Sequence, residues 1–572
     1  MSAQSNYLRW MNSPIVSEET KEILRHMSEE EKTDAFFKDA EFGTGGMRGI
    51  LGPGTNRLNL FTVNRVTIAF ARYIHQFFPK DGPDRGVVIS HDNRNMSREF
   101  ALASAHVLNE AGIRAYLFDS LRPTPELSFA VRRMNAIGGI MITASHNPKE
   151  YNGYKIYDET GCQMVFESID RLLDILSHLP NELEVQNIPA EKRGECIILP
   201  KEIDDEYVDH VTSIALHPEL DKTNFRFVFT PQHGTSYLPA MRVFEKAGYG
   251  KCVIPVEDQC TPDGNFTHTL CPNPEDPRAY MEAIEIADRE HADLVVTTDP
   301  DADRVGMGYR GQDGKIHLLT GNQSGALLID YIFSQRKAKG TLHKDGVMFN
   351  TIVTSTLGKK VSESYGVRVE SLLTGFKYIG SKIHEYEVKG GATYEFGYEE
   401  SYGCLISPFA RDKDAQQALL LYVEMTLFYK NQGKTLDQVY EELEKKHGYY
   451  KDTQFSIYFQ GESGAEKMAN LMENLHQNPC KNVGEYEVVT VDDYLTGIST
   501  SKDGSKEKLP TPPADVIRLH LNNGTWIAVR PSGTEPKCKF YYCACGHSQE
   551  EVDSLPAKLH QDLLRQLHLE NE

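Results

Sequence analysis

Three stretches of this chain repeat one pattern, an apolar strand running into a polar loop that bears Gly or Thr. They are Gly86-Val87-Val88-Ile89-Ser90-His91-Asp92, Phe227-Val228-Phe229-Thr230-Pro231-Gln232-His233-Gly234 and Val347-Met348-Phe349-Asn350-Thr351. Each is followed by helical periodicity and then by a second buried strand. Successive copies lie roughly 120 to 140 residues apart, the size of one ordinary domain. The pattern predicts three α/β units, each opening on such a strand. A chain of 572 residues is too long for a single core, so three or four domains are expected. Beyond about residue 443 the texture changes. Residues 501–513 are rich in Lys, Ser, Gly and Pro and read as a surface loop, whereas Ile517 to Leu521 and residues 524–529 read as strands. A smaller α+β domain is expected there. Residues 62–77 carry Val66, Phe70, Ile74 and Phe77 on one helix face, with Thr62 as the expected cap.

Several functional classes fall away on composition. The net charge is −21, from 61 basic and 82 acidic residues, which disfavours nucleic acid as a partner. A small phosphorylated ligand is still compatible, provided Arg and Lys cluster locally. No apolar run reaches 18 residues, and residues 1–20 lack a signal-peptide core, so no membrane contact and a cytoplasmic location are expected. The ten cysteines are scattered, and Cys543 and Cys545 have no second pair at zinc spacing, which argues against structural disulfides and a zinc site. A monomer is compatible with the sequence.

Four loops carry chemistry. Thr143-Ala144-Ser145-His146-Asn147-Pro148 follows Ile137-Gly138-Gly139-Ile140-Met141-Ile142, an unbroken apolar run of the kind a buried parallel strand needs. Ligands of open α/β sheets sit beyond the carboxyl ends of such strands, so Ser145 is expected to be displayed in a cleft. A helix cap followed by a proline stop would also account for a lone serine there. A Ser–His hydrolase lacks its G-x-S-x-G elbow. Asp299-Pro300-Asp301-Ala302-Asp303-Arg304 follows Leu294-Val295-Val296, and carboxylates at alternate positions of an extended loop can converge on one hard cation such as Mg²⁺. An EF-hand would need Gly and Glu where Arg304 and Arg310 stand. Gly397-Tyr398-Glu399-Glu400-Ser401-Tyr402-Gly403 places carboxylates and a hydroxyl suited to sugar hydroxyls, although an acidic turn reads the same. Arg530-Pro531-Ser532-Gly533-Thr534-Glu535-Pro536-Lys537 gathers a guanidinium, two hydroxyls and Gly-freed amides, the donor set for a phosphate dianion.

In this order and at these distances the four loops resemble the α-D-phosphohexomutase superfamily over nearly the whole chain. The context of Glu399 and Ser401 is similar to its phosphoglucomutase branch, which also contains phosphopentomutases. The resemblance implies three similar α/β domains with mixed sheets plus a smaller C-terminal α+β domain around a central cleft, divided as 1–205, 206–314, 315–443 and 444–572. It implies a phosphoserine at Ser145, with Asp299, Asp301, Asp303 and a phosphoserine oxygen holding Mg²⁺. Arg304 and Arg48 would flank the transferring phosphate, Arg48 within Gly43-Thr44-Gly45-Gly46-Met47-Arg48-Gly49. Lys155 would carry protons, with His146 in the same catalytic set. Glu399 and Ser401 would read the sugar, and Thr374, Gly375 and Lys377 would form a specificity loop. Arg530, Ser532, Gly533 and Thr534 would hold the distal phosphate. Arg411-Asp412-Lys413-Asp414 also fits the family, but Asp414 is read here as a helix cap.

The implied reaction is the interconversion of α-D-glucose 1-phosphate and glucose 6-phosphate by way of glucose 1,6-bisphosphate, which serves as both intermediate and activator. Phosphopentomutase or phosphomannomutase activity on the same scaffold is the alternative. The Glu-Glu-Ser order resembles glucose-acting relatives, while Tyr398 and Tyr402 also occur in the pentose-acting branch. Two other readings compete. Asp301-Ala302-Asp303-Arg304-Val305 fits the D-x-D-x-[TV] string of haloacid-dehalogenase phosphotransferases, which would leave Ser145 and Arg530 unexplained. An inactive sugar-phosphate sensor would not need every matched catalytic position intact.

Overall fold

The computed structural model describes residues 2–43, 45–459, 464–532 and 537–569. The chain divides into two compact units, residues 1–321 with 376–435, and residues 322–375 with 436–572.

The first unit opens with three short helices, Ala3–Asn12, Glu18–His26 and Glu29–Phe36, each capped by a serine at its N-terminus. They close on a small core of Trp10, Val16, Leu24, Ala35 and Phe36. A seven-stranded mixed sheet follows, in the order Phe42–Gly43, Gly46–Ile50, Tyr151–Asp158, Gly138–Ile142, Val87–His91, Ala115–Leu117 and Cys196–Ile198. Its central strands are parallel and buried on both faces, which their unbroken apolar sequence requires. Gly46–Ile50 and Tyr151–Asp158 run antiparallel, with Arg48 opposite Gly153. The helix Leu60–Phe77 packs its Val66–Phe70–Ile74 face onto this core. Its cap is Asn59, not Thr62. Thr62 sits three residues inside, where its N–H donates to Asn59 Oδ1 and its Oγ1 accepts from the Asn59 N–H, completing a capping box.

A second sheet in this unit runs Ile316–Leu318, Val305–Arg310, Leu294–Thr298, Phe227–Thr230 and Val253–Pro255. The last three strands are parallel and Val305–Arg310 is antiparallel to its neighbours. Two antiparallel strands, Thr393–Glu399 and Gly403–Leu405, and the almost wholly buried helix Ala415–Asn431 complete the unit.

In the second unit Gly346–Thr351 pairs in parallel with Arg368–Leu372. Its C-terminal part is an antiparallel sheet ordered Tyr449–Tyr458, Lys537–Gly546, Trp526–Pro531, Ile517–Leu521, Tyr486–Asp493, Ile498–Ser501 and Lys506–Lys508. The helices Gly464–Gln477 and Gln549–Gln566 bury Leu471, Leu475, Leu559 and Leu563 against it. Residues 501–513, read as a loop, include the strand Lys506–Lys508, which pairs back on Ile498–Ser501 as an exposed edge hairpin. Its lysines are what an unprotected sheet edge tolerates. The strand expected over residues 524–529 begins at Trp526, because Gly524 turns at φ +88°. No helix among the described residues is long and apolar enough to cross a membrane.

Candidate active site

The strand Gly138–Ile142 delivers Ser145 to its carboxyl end, as expected. Ser145 is buried and holds a left-handed backbone, φ +51°, uncommon for a residue with a side chain. Its N–H donates to Thr143 Oγ1 at 2.8 Å, and its hydroxyl donates to Asp299 Oδ2 at 2.6 Å. His146 Nδ1 lies 3.3 Å from the same Oγ, and burial, then Arg304 and Arg48, hold the imidazole well below its usual range. A neutral imidazole can accept from or donate to that oxygen, depending on its tautomer.

The strand Leu294–Thr298 likewise carries Asp299, Asp301 and Asp303 at its carboxyl end, all three buried. One carboxylate oxygen from each lies within 4.8 Å of the others. Gly234 makes this loop possible, since a Cβ there would stand 2.5 Å from the Pro300 carbonyl. Asp301 Oδ2 accepts from Thr124 Oγ1 at 2.9 Å and from Lys155 Nζ at 3.0 Å, while Asp301 Oδ1 and Asp303 Oδ1 have no hydrogen-bond partner among the described residues. Burial, then the Asp301 and Asp303 charges, push Asp299 well above the usual carboxylate range. Burial would raise Asp303 too, but Lys413, Lys155 and Arg304 outweigh it and hold that carboxyl below its usual range. Converging buried carboxylates with unpaired oxygens, whose mutual repulsion is relieved at Asp303 but not at Asp299, fit a hard divalent cation.

Basic side chains ring this cluster. Lys155, on Tyr151–Asp158, pairs with Asp301 at 3.0 Å and Asp303 at 3.8 Å. Arg304 reaches Glu275 at 2.5 Å and Asp303 at 3.9 Å. Arg48 donates to Asn147 Oδ1 at 2.7 Å, beside the serine. Lys413, which the sequence reading did not select, stands 3.1 Å from Asp303 and 3.7 Å from Glu399. The reading of Asp414 as a cap holds, as it accepts from the N–H groups of Gln416 and Gln417. Both roles coexist because the cap turns the preceding residue inward. Gly403 is the reciprocal requirement, since a Cβ there would collide with the Lys413 side chain.

Thus Ser145, His146, Asp299, Asp301, Asp303, Arg304, Arg48, Lys155 and Glu399 stand in one neighbourhood of the first unit. Ser401 lies in the turn between Thr393–Glu399 and Gly403–Leu405. Lys377 begins the helix Phe376–Lys389, its carbonyl accepting from Cys162 Sγ at 3.2 Å. Thr374 and Gly375, at φ +115°, belong to the second unit, as do Arg530 and Ser532. Arg530 lies on Trp526–Pro531, and the Ser532 N–H donates to the Lys537 carbonyl at 2.7 Å. Gly533 and Thr534, like Thr44, lie outside the described residues.

Comparison with known proteins shows the family of the chain. Residues 39–181, 205–312 and 320–447 match the phosphoglucomutase/phosphomannomutase alpha/beta/alpha domains I, II and III, and residues 483–561 match the C-terminal domain of the same family. A phosphoglucomutase of Staphylococcus epidermidis is 36% identical over 549 residues, covering 95% of this chain and 97% of that relative. The chain belongs to the phosphoglucomutase/phosphomannomutase family. With that family it is an isomerase working by phosphoryl transfer, built of three α/β domains with mixed sheets and a β-rich C-terminal domain. A Staphylococcus aureus phosphoglucomutase is 37% identical, covering 91% of this chain and 92% of its own. The open-form crystal structure of parafusin, a phosphoglucomutase from Paramecium, shares the fold at TM-score 0.65 and 19% identity, covering 93% of this chain and 95% of that one.

Proposed function

We propose that this chain is a magnesium-dependent phosphoglucomutase, interconverting α-D-glucose 1-phosphate and glucose 6-phosphate through a phosphoserine at Ser145 and glucose 1,6-bisphosphate, in the cytoplasm. The observation that carries the reading is the hydrogen bond from Ser145 Oγ to Asp299, which ties a strained, buried serine to three converging carboxylates. Domain boundaries near residues 205, 314 and 443 accompany the proposal.

Asp299, Asp301 and Asp303 would hold the cation, which when bound supplies positive charge to phosphoryl oxygens. The chain's own residues do the rest. The phosphoryl group leaves Ser145 Oγ as a free hydroxyl of the bound sugar monophosphate forms the new P–O bond. Charge spreads over the phosphoryl oxygens in the transition state, and Arg48 and Arg304 stabilise it, a role supported by the contacts of Arg48 with Asn147 and of Arg304 with Asp303. Lys155 is the proton carrier: burial would lower it, but Asp301 and Asp303 hold it as the ammonium, so it gives its proton to Ser145 Oγ as the phosphoryl group leaves and then takes up the sugar hydroxyl's proton, with Lys413 the second ammonium in reach of the same carboxylates. Glu399 and Ser401 read the sugar hydroxyls, and Thr374, Gly375 and Lys377 accompany them. Arg530, Ser532, Gly533 and Thr534 grip the phosphate that is not being transferred, so the bisphosphate can present either end to Ser145.

The test is turnover of a panel of sugar 1-phosphates with Mg²⁺ and glucose 1,6-bisphosphate. Glucose 1-phosphate should give the highest kcat/KM, with ribose and deoxyribose phosphates next and N-acetylglucosamine phosphates poor. A hydroxyl that is missing takes one hydrogen-bond partner from the buried Glu399 carboxylate, which is the basis of that order. A pentose preference would overturn the choice of sugar, and absence of turnover with every member would overturn the reaction.

A further inference from the structure

One buried guanidinium gathers the backbone of the serine loop. Arg94 is 3% exposed, and its side chain is fully enclosed. Its Nη2 donates to the carbonyls of Ser145 and Asn147, each at 2.5 Å. Its Nη1 donates to the carbonyls of Pro148 at 2.8 Å and Tyr151 at 3.0 Å. Nε faces Asp92 at 3.2 Å, and the Phe266 ring lies across the guanidinium at 5.2 Å. Asp92 in turn is fixed by the Arg94 N–H at 2.9 Å and by Ser97 Oγ at 2.7 Å. The clamp therefore has both a partner and a wall.

Pro148, Lys149 and Glu150 are exposed, so apolar packing does little to set the course of the loop. Hydrogen bonds to its carbonyls set it instead. Without Arg94, the carbonyls of Ser145, Asn147 and Tyr151 would lose this donor, each at a cost of about 1–3 kcal/mol, and Pro148 would keep only the Tyr151 N–H. A lysine cannot replace it, because one ammonium offers three donors from a single point rather than a planar fork. The clamp bears on Ser145 in particular. A left-handed backbone costs a residue with a side chain roughly 1–2 kcal/mol, and the bond to the Ser145 carbonyl opposes its relaxation. Relaxation would swing Oγ away from Asp299.

We infer that Arg94 is a positioning residue for phosphoryl transfer, fixing the Ser145 carbonyl and through it the direction of Oγ. The inference rests on the reading of Ser145 as the phosphoserine. Among the described residues Arg94 bonds to no sugar-reading residue, so substrate binding should be spared. Misplacing a reacting atom by about 1 Å costs on the order of 100-fold in rate. A loosened loop should also lose its phosphate to water, with the P–Oγ bond breaking and inorganic phosphate and free serine forming.

The experiment compares wild type, Arg94→Lys and Arg94→Gln as full chains with Mg²⁺. It reads kcat and KM for glucose 1-phosphate, thermal midpoint, and Ser145 phosphate over time by intact mass. Arg94→Gln should lose on the order of 100-fold in kcat with KM changed by less than about threefold. Its phosphoserine should decay at least ~10-fold faster, and Arg94→Lys should fall between. If Arg94→Gln does not fold, Arg94→Lys carries the comparison. Folded variants with wild-type kcat and phosphoserine lifetime would overturn the role of Arg94. Wild type that never carries phosphate on Ser145 during turnover would overturn the serine reading and this role with it.

Discussion

Replacing Asp301 with Asn keeps the volume of the side chain and removes one charge. Its oxygen can still accept from Thr124 Oγ1, so the fold should tolerate the change. What is lost is the charge facing Lys155 at 3.0 Å and the unpaired Oδ1. At an effective dielectric near 20, a pair at that distance is worth about 5 kcal/mol before desolvation. Breaking a buried pair typically costs about 3–5 kcal/mol. Lys155 keeps Asp303 at 3.8 Å, which places the expected loss near the middle of that range. That loss falls on stability and lowers the thermal midpoint, while kcat/KM should drop by orders of magnitude because one of the three charges that would hold the cation is gone. Mg²⁺ affinity should fall by at least ~100-fold, since affinity for hard cations follows ligand charge. The assay is the rate on glucose 1-phosphate across a Mg²⁺ titration, with the thermal midpoint measured alongside. An Asp301→Asn protein with wild-type midpoint, unchanged Mg²⁺ dependence and kcat/KM within threefold would show that the loop is merely structural.

Ser145→Ala should abolish mutase turnover while still binding sugar phosphate, and the wild type as purified should carry one phosphate on Ser145 that the variant lacks; near-normal turnover would sink the mechanism. Arg530→Ala removes the proposed grip on the distal phosphate, for an expected loss of about 2–4 kcal/mol in kcat/KM and more frequent escape of the bisphosphate, whereas an effect confined to stability would reject the phosphate role. Asp452 is half-buried in the second unit, its Oδ1 enclosed and without a hydrogen-bond partner among the described residues, and desolvation pushes its carboxyl up to about 6, so the fold keeps a proton that the unfolded chain has already lost. Stability should therefore fall as pH rises from about 4 to about 6, and Asp452→Asn should exceed wild type by up to about 3 kcal/mol at pH 8 but hardly at pH 4 in urea unfolding. Equal differences at both pH values would rule this out.

What the sequence disclosed was local. Ser145 and the three aspartates each stand just beyond the carboxyl end of an apolar strand, so a few neighbouring residues carry both the element and the chemistry. What it concealed was nonlocal. Lys413 sits beside an aspartate whose capping role is complete in itself, and only the approach of Asp303 and Glu399 shows that the lysine also faces the carboxylates. Arg94 lies 51 residues from the carbonyl it fixes on Ser145, and Thr124 lies 177 residues from Asp301. Asn59 displaced Thr62 as a cap because both can cap, and the folded backbone gives the first role to one and the return bond to the other. Ser28 and Glu31 form a capping box whose sequence signal was present, although the three N-terminal helices were not anticipated.

The chain carries a net charge of −21, so a phosphate dianion must be drawn in by local charge alone, and that charge is unevenly placed. Lys155 and Lys413 stand against Asp301 and Asp303, while Asp299 turns one oxygen to the Ser145 hydroxyl and the other to the Arg304 N–H. The cations thus relieve one end of the triad and leave the end beside the serine short of positive charge. This is why burial and its two acidic neighbours push Asp299 up while Asp303 is held down. Phosphorylating Ser145 adds up to two negative charges at the deficient end. The phosphorylated protein should therefore bind Mg²⁺ more tightly than the dephosphorylated one, and by linkage Mg²⁺ should favour the phosphoserine equally. Couplings of this kind are typically about 1–3 kcal/mol, or roughly 5- to 150-fold in affinity. Calorimetric titration of Mg²⁺ into the two forms, separated by charge and identified by mass, measures it directly. Equal affinities would mean that the deficit at Asp299 is met by solvent or by Arg304, and that phosphate on the serine is held without help from the triad.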